Sequence, residues 1–384
     1  MSSQKDLFQL PEDIHYLNCG YMSPLLKSAE EAGIQGMQRK RNPSGIFADD
    51  FFNEPETLRL LFSRLINCNP GQVAVIPSTS YAFQSAVNNL PVNKGSHAIT
   101  VSDEFPSDYY TIRRWCGENR KELKVIEGGK NQNGRAQSWN TRILEAISNE
   151  TAAVIMSSIH WMDGTKFDLK AIGKRCREVN AVFIVDGTQS VGALPIDVKE
   201  YNIDVLACAA YKWLLGPYSI GLAYYSEFFN GGIPLEESWL NRANARNFPG
   251  LTAYTDDYQA TGAARYNVGE YSNFILTPML IKSLEQIINW KVEFIQDYCK
   301  QVSRPLIDFL QENDFKTEEE NFRADHLFGF QLPAGLNAAR LLEQLQKRKI
   351  FVSVRGDSIR VSPHLYNTDN DIAMLMEALQ GVAG

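Results

Sequence analysis

The chain has 384 residues, more than one typical hydrophobic core accommodates, which predicts one large and one smaller domain. Hydrophobic residues make up 44% and charged residues 22%, which excludes a disordered chain. The net charge of −7 argues against nucleic acid as the main partner, because no basic excess faces the phosphates.

No apolar stretch reaches membrane-spanning length, and the opening Met1-Ser2-Ser3-Gln4-Lys5-Asp6 has none, so neither a membrane span nor a signal peptide is expected. Cys19, Cys68, Cys116, Cys176, Cys208 and Cys299 are scattered, with no CxxC pair and no zinc-type spacing. The expectation is free thiols in a reducing cytoplasm and no metal.

From about residue 70 to 225, short apolar runs of β type alternate with helical stretches. Val73-Ala74-Val75-Ile76 comes first, and Ser78-Thr79-Ser80 after it opens a helical pattern over Tyr81 to Asn89. Ala98-Ile99-Thr100-Val101 leads into Glu104-Phe105-Pro106-Ser107-Asp108, and Lys124-Val125-Ile126 is the third run. Ala153-Val154-Ile155-Met156 leads into His160-Trp161-Met162-Asp163-Gly164. Val182-Phe183-Ile184-Val185 delivers Asp186-Gly187-Thr188-Gln189-Ser190-Val191-Gly192. Val205-Leu206-Ala207-Cys208 leads to Ala209-Ala210-Tyr211-Lys212-Trp213, and Ile220 to Tyr225 is the seventh run. Continuous rather than alternating apolar runs predict strands buried on both faces, and strands spaced by helices predict a mostly parallel, seven-stranded, doubly wound α/β sheet. Such sheets place chemistry beyond the carboxyl ends of their strands.

Past about residue 230 the pattern changes. Leu240 to Asn247 reads as loop, and a helical segment runs from near Pro278 to Asn313 with an interruption expected around Pro305. Phe328 to Ala378 reads strand, helix, strand, strand, helix. The expected division is a large domain over 16–270 and a smaller α+β domain over 271–384, completed by 1–15.

Asp186 and Lys212 each follow a buried run and lie 26 positions apart, room for one helix and the next strand, so both fall at one sheet edge. A lysine and a carboxylate converging there match what pyridoxal 5′-phosphate (PLP) requires. The lysine forms a Schiff base, and the carboxylate pairs with the protonated pyridine nitrogen, keeping the ring an electron sink. Ser78, Thr79 and Ser80 at a helix start supply hydroxyls and free N–H groups, an anion site suited to the phosphate. Phe105 offers an aromatic face to a flat ring. Arg360, in Ser358-Ile359-Arg360-Val361-Ser362, has the planar fork that grips a carboxylate.

The segment Val182 to Tyr225, with Asp-Gly-x-Gln-Ser-x-Gly and Tyr-Lys-Trp-x-x-Gly-Pro, resembles the class V aminotransferase family of fold-type I PLP enzymes. That family includes cysteine desulfurases, selenocysteine lyases, kynureninases and isopenicillin N epimerases. The resemblance extends more thinly from Tyr16-Leu17-Asn18 to Tyr366-Asn367-Thr368. It implies Lys212 as the Schiff-base lysine, Asp186 as the ring-nitrogen partner and Gln189 as a hydrogen-bond partner of the ring's 3′-oxygen. Tyr211, Thr79 and Ser80 become phosphate contacts, Phe105 the stacking residue and Arg360 the holder of the substrate α-carboxylate. By likeness to kynureninases, Asp108 also helps at the cofactor. A homodimer with a shared site is implied as well.

Three departures stand out. Relatives often carry asparagine where Asp163 stands. A carboxylate beside the ring oxygen is repulsive, so Asp163 is expected to face elsewhere, and the roles of His160 and Asp163 stay open. Glu270 replaces the hydroxyl residue that relatives lend to a neighbouring subunit's phosphate, with Ser272 as a substitute. No cysteine follows Cys299, where desulfurases carry their sulfur acceptor. Arg355 either extends the substrate site or is solvated, and the solvated reading is preferred.

The leading expectation is an enzyme acting on a small α-amino acid, with lyase cleavage preferred and transaminase or epimerase outcomes open. A PLP-fold protein without turnover is the rival. A Rossmann dehydrogenase is disfavoured, because no GxGxxG joins a first strand to a helix.

Overall fold

The structure is a computed structural model and describes residues 2–129, 134–259, 262–333, 338–355 and 358–383. Strand β1 (His15–Tyr16) precedes helices α1 (Lys27–Arg39) and α2 (Asn53–Ile66). The alternating region begins with β2 (Val73–Ile76), α3 (Thr79–Val87), β3 (His97–Val101), α4 (Pro106–Glu118) and β4 (Glu122–Ile126). It continues through α5 (Arg135–Ala146), β5 (Thr151–Ser157), α6 (Leu169–Val179), β6 (Val182–Asp186), β7 (Val205–Ala209) and β8 (Gly221–Tyr225). Each of the seven apolar runs is a strand of one sheet, ordered β2-β8-β7-β6-β5-β3-β4. β8 runs antiparallel to both neighbours and the remaining strands are parallel to one another.

The runs are continuously apolar because the sheet is covered on both faces. Val73, Val154, Phe183 and Leu206 point into a core shared with Phe62, Trp139 and Ile172 of α2, α5 and α6. Their neighbours Ala74, Ala153, Ile184 and Ala207 point into a second core with Phe83 and Trp115 of α3 and α4. β4, at one edge, is only partly buried and carries Glu122 and Lys124, charges that discourage pairing with another chain.

The later part comprises α7 (Leu276–Trp290), α8 (Val292–Glu312), β9 (Lys316–Thr317), β10 (Phe328–Gln331) and α9 (Ala338–Lys347). β11 (Ile350–Phe351), β12 (Ser353–Arg355), β13 (Ser358–Val361) and α10 (Asp369–Ala383) complete it. The helical break falls at Lys291, where φ is +66°, and not at Pro305, which lies inside α8. Pro305 sits on the exposed side of α8 beside Arg304, where water can serve the carbonyl that lost its donor.

Strands β12-β13-β10-β9 form an antiparallel sheet, while β1 pairs in parallel with β11, His15 opposite Ile350. His15 Nδ1 meets Asp371 of α10 at 2.7 Å in a buried contact. Among the described residues, no helix is long and apolar enough to cross a membrane.

Candidate active site

Parallel pairing of β5, β6 and β7 sets Ser157 opposite Asp186 and Asp186 opposite Ala207, so the carboxyl ends of three strands share one edge. The turns after β6 and β7 pack backbone to backbone. Gly192 has φ +97°, and a Cβ there would lie 2.4 Å from the Trp213 carbonyl oxygen, so only glycine lets the first motif lie against the second. A cavity of about 230 Å³ opens at this edge. Its walls include Thr79, Ser80, Phe105, Asp186, Gln189, Tyr211 and Lys212.

Lys212 is 7% exposed, with Nζ 5.7 Å from the Phe105 ring centroid and 5.6 Å from that of Tyr211. Burial, aided by the Arg360 cation and opposed by Asp186, pulls its ammonium pKa down from 10.5 to about 8. Roughly one amine in ten is then neutral at pH 7.

Asp186 Oδ1 accepts from the Thr188 N–H at 2.7 Å, and burial raises its pKa. Behind it lie two more buried carboxyls. Glu104 accepts from the N–H groups of Phe105 and Ser157, both at 2.7 Å, and from the Ser157 hydroxyl. Asp108 is fully buried, and neither of its oxygens meets a hydrogen-bond donor. Burial first, then Asp186 and Glu104, push Asp108 well above the usual carboxylate range. That shift favours the neutral form of Asp108, which stands behind the cavity wall rather than in it.

Ser78 caps α3, its Oγ accepting from the Tyr81 N–H at 3.3 Å and lying 2.9 Å from Ser80 Oγ. The first-turn N–H groups of α3 and the hydroxyls of Thr79 and Ser80 therefore face an anion position. Tyr211 lines the same cavity, and burial pushes its hydroxyl up to about 12, so it remains a donor. Gln189 is locked. Trp213 Nε1 donates to its Oε1 at 2.9 Å, which fixes the amide orientation because an indole N–H only donates. Its Nε2 donates to the Gly20 carbonyl at 3.1 Å, leaving one N–H for a ligand.

Arg360, on β13, is 1% exposed and sits outside the cavity lining, behind Trp161. Its Nη1 donates to the Trp161 carbonyl, while Nε and Nη2 have no partner. Burial, then the Arg355 cation, pulls its pKa down to about 9. Arg355 is not the solvated residue preferred from sequence. It is half-buried, stacks 5.7 Å from the Trp161 ring centroid, and encloses an unpartnered Nε.

Asp163 faces away from the cavity. It binds Arg135 Nη1 at 2.6 Å, His160 Nδ1 at 3.1 Å and the Thr165 N–H at 3.0 Å. Burial pushes the Asp163 carboxyl up, but His160 and Arg135 outweigh it and hold the pKa below the carboxylate range. His160 packs edge-on against Trp139, 5.1 Å between centroids, and does not line the cavity. Ser272 is likewise engaged elsewhere, donating to the Phe51 carbonyl at 2.5 Å. None of the six cysteines lines the cavity, and five of them are buried.

Sequence reasoning passed over two residues. Trp161 lines the cavity, edge-on to Phe105 at 5.6 Å, with its Nε1 donating to the Asp103 carbonyl at 2.7 Å. Glu104 is a buried acid directly after β3. The rule that singled out Asp186, an acid delivered by a buried strand, applies to it as well.

A lysine of lowered pKa, a carboxyl that can meet a ring nitrogen, an aromatic face and a hydroxyl-lined helix start occupy one cavity of a doubly wound sheet. These residues fit PLP, and the fold with this site defines a fold-type I PLP-dependent enzyme. The chain belongs to the class-V aminotransferase family, whose model matches residues 42–375. It is 27% identical to an uncharacterized aminotransferase of Bacillus subtilis over 83% of this chain and 80% of the relative. It is 25% identical to a kynureninase of Bacillus cereus, over 93% and 83%, and 22% identical to a probable cysteine desulfurase of Methanothermobacter thermautotrophicus, over 83% and 81%. The fold matches a mutant of C-DES with glycine covalently linked to its PLP cofactor, at a TM-score of 0.85, 18% identity and 98% and 99% coverage. It also matches the cysteine desulfurase of Thermococcus onnurineus NA1, at a TM-score of 0.80, 18% identity and 100% and 98% coverage.

Proposed function

We propose that the chain is a PLP-dependent lyase of α-amino acids, with Lys212 as the residue that attaches the cofactor. The observation that carries this reading is the buried Lys212 amine, held near a pKa of about 8 in the same cavity as Asp186 and the start of α3. When bound, PLP supplies an electron sink for bonds at the substrate's α-carbon.

The chain's own residues do the rest. Thr79, Ser80 and the first-turn N–H groups of α3 hold the phosphate, with Tyr211 donating beside them. Asp186 would hold the pyridine nitrogen protonated, and the raised pKa of Asp108 disfavours a second negative charge behind it. Phe105 would cover the ring face, and the spare Gln189 N–H would serve the ring oxygen. Arg360 presents the unpartnered Nε and Nη2 edge to the substrate α-carboxylate. Lys212 would move the proton at the substrate's α-carbon, a task suited to a base whose pKa lies near neutrality.

The preference for lyase chemistry without a protein-bound sulfur carrier is supported by a cavity that no cysteine lines. Transamination and epimerisation share the first proton transfer and differ only in the later steps.

Purified protein mixed with PLP is expected to gain a visible absorption band that Lys212→Ala lacks. A colourless wild-type protein overturns the reading. A panel of amino acids assayed for pyruvate, alanine, sulfide and racemised product then separates the lyase from its rivals.

A further inference from the structure

The hairpin β12–β13 carries two cations that no acidic group balances among the described residues. Its register sets Ser353 opposite Arg360 and Arg355 opposite Ser358. Arg355 and Arg360 are therefore diagonal neighbours on one face of the sheet, close enough for long side chains to converge. Both grip the same residue from different sides, Arg360 at the Trp161 carbonyl and Arg355 over the Trp161 ring. Trp161 is itself fixed by Asp103 and Phe105, and it forms a wall of the cavity.

The donors left over decide how many anions the pair expects. Arg360 spends Nη1 on Trp161 and keeps Nε and Nη2, the parallel edge that matches both oxygens of one carboxylate. Arg355 spends Nη1 on the Val354 carbonyl at 2.9 Å and keeps an enclosed, unpartnered Nε. One carboxylate saturates the edge of Arg360 and leaves Arg355 unserved. A buried donor on a cation without an acceptor is costly, so a second anionic group accounts for what a single one leaves over.

Resting on the reading of Arg360 as the α-carboxylate anchor, we propose that Arg355 is a specificity residue that selects substrates bearing a second acidic group at the far end of the side chain. The preferred class is acidic α-amino acids, with a distal carboxylate or sulfur oxyacid, over those with neutral side chains. Trp161 acts as the spacer that sets the distance between the two acids.

Unreactive acids test this without turnover. Binding of glutarate and butyrate to the PLP-treated protein is measured by titration calorimetry at fixed ionic strength. Wild-type protein is expected to bind glutarate at least about tenfold more tightly than butyrate, since the second acid gains a charge-assisted hydrogen bond. Arg355→Gln is expected to bring the two within about threefold while leaving butyrate unchanged, and Arg355→Lys, which keeps the charge without the fork, to fall between. Equal wild-type affinities overturn the proposal without any variant. So does an Arg355→Gln protein that loses butyrate as much as glutarate, because both arginines then serve one carboxylate. A colourless protein that still prefers glutarate refutes the PLP reading and leaves the acid pair standing.

Discussion

Replacing Arg360 by methionine is expected to stabilise the substrate-free protein while disabling it. The guanidinium is 1% exposed, and burial together with Arg355 holds its pKa near 9 instead of 12.5. That depression corresponds to a cost on the order of 4–5 kcal/mol for keeping the group charged at neutral pH. Arg360→Met removes the cost, keeps a flexible apolar side chain, and loses the donor to the Trp161 carbonyl, about 1–2 kcal/mol. The net gain is ~2–4 kcal/mol, seen as an unfolding midpoint a few degrees higher. In catalysis the same change removes two charge-assisted hydrogen bonds to the substrate carboxylate. A loss of ~3–5 kcal/mol lowers kcat/KM by roughly two to four orders of magnitude. Lys212 responds as well. The Arg360 cation helps depress its pKa, so PLP uptake by the variant should need a higher pH. Circular dichroism melts, kcat/KM on any amino acid that is turned over, and the pH dependence of PLP uptake are the three readouts. A lower melting point with unchanged kcat/KM refutes both the uncompensated charge and the carboxylate role.

Asp108→Asn tests the protonated carboxyl. Because the folded pKa is raised, the native state holds a proton that the unfolded chain releases above about pH 4, and stability falls as pH rises through that range. The variant's urea midpoint should fall less from about pH 5 to 8 than that of wild type, and equal slopes would show that Asp108 is ionised. Asp163→Asn leaves Arg135 with Glu318, at 3.9 Å, as its acidic partner among the described residues, and should lower stability by about 2–4 kcal/mol in denaturant titrations. The depressed Asp163 pKa makes its contribution present above about pH 4 and lost as pH falls below it. The visible band should survive in this variant, and its disappearance would place Asp163 at the cofactor. Thr79→Val keeps the side-chain shape but removes a hydroxyl from the anion position, raising the PLP dissociation constant by about 10–100-fold in equilibrium dialysis. An unchanged constant would put the phosphate elsewhere.

The sheet was readable because a strand buried on both faces is apolar along its length, and six of the seven runs are buried throughout, the edge strand β4 being the exception. The same rule located Asp186 and Lys212, since a charge directly after such a run can only fall at the sheet's edge. It was silent on direction, and nothing in the composition of Ile220 to Tyr225 marks β8 as antiparallel to its neighbours. Pro305 misled because a proline is a helix breaker only where its missing N–H matters, and the solvent side of α8 tolerates it. Arg355 looked solvated for a related reason. Its surroundings come from Trp161, almost two hundred positions away, and no local pattern announces such a contact.

The parallel pairing of β1 with β11 also has a consequence in time. Asn18 accepts a hydrogen bond from Ser353, 335 positions later, and Gly20, whose carbonyl holds Gln189, donates to Ser362. On a ribosome adding about 5–20 residues per second, the first strand waits roughly 20–70 s for its partners to be made. The large sheet can form during that interval, but the glutamine beside the cavity is not secured until the last part of the chain returns to the first. Synthesis therefore ends, and does not begin, with a completed site.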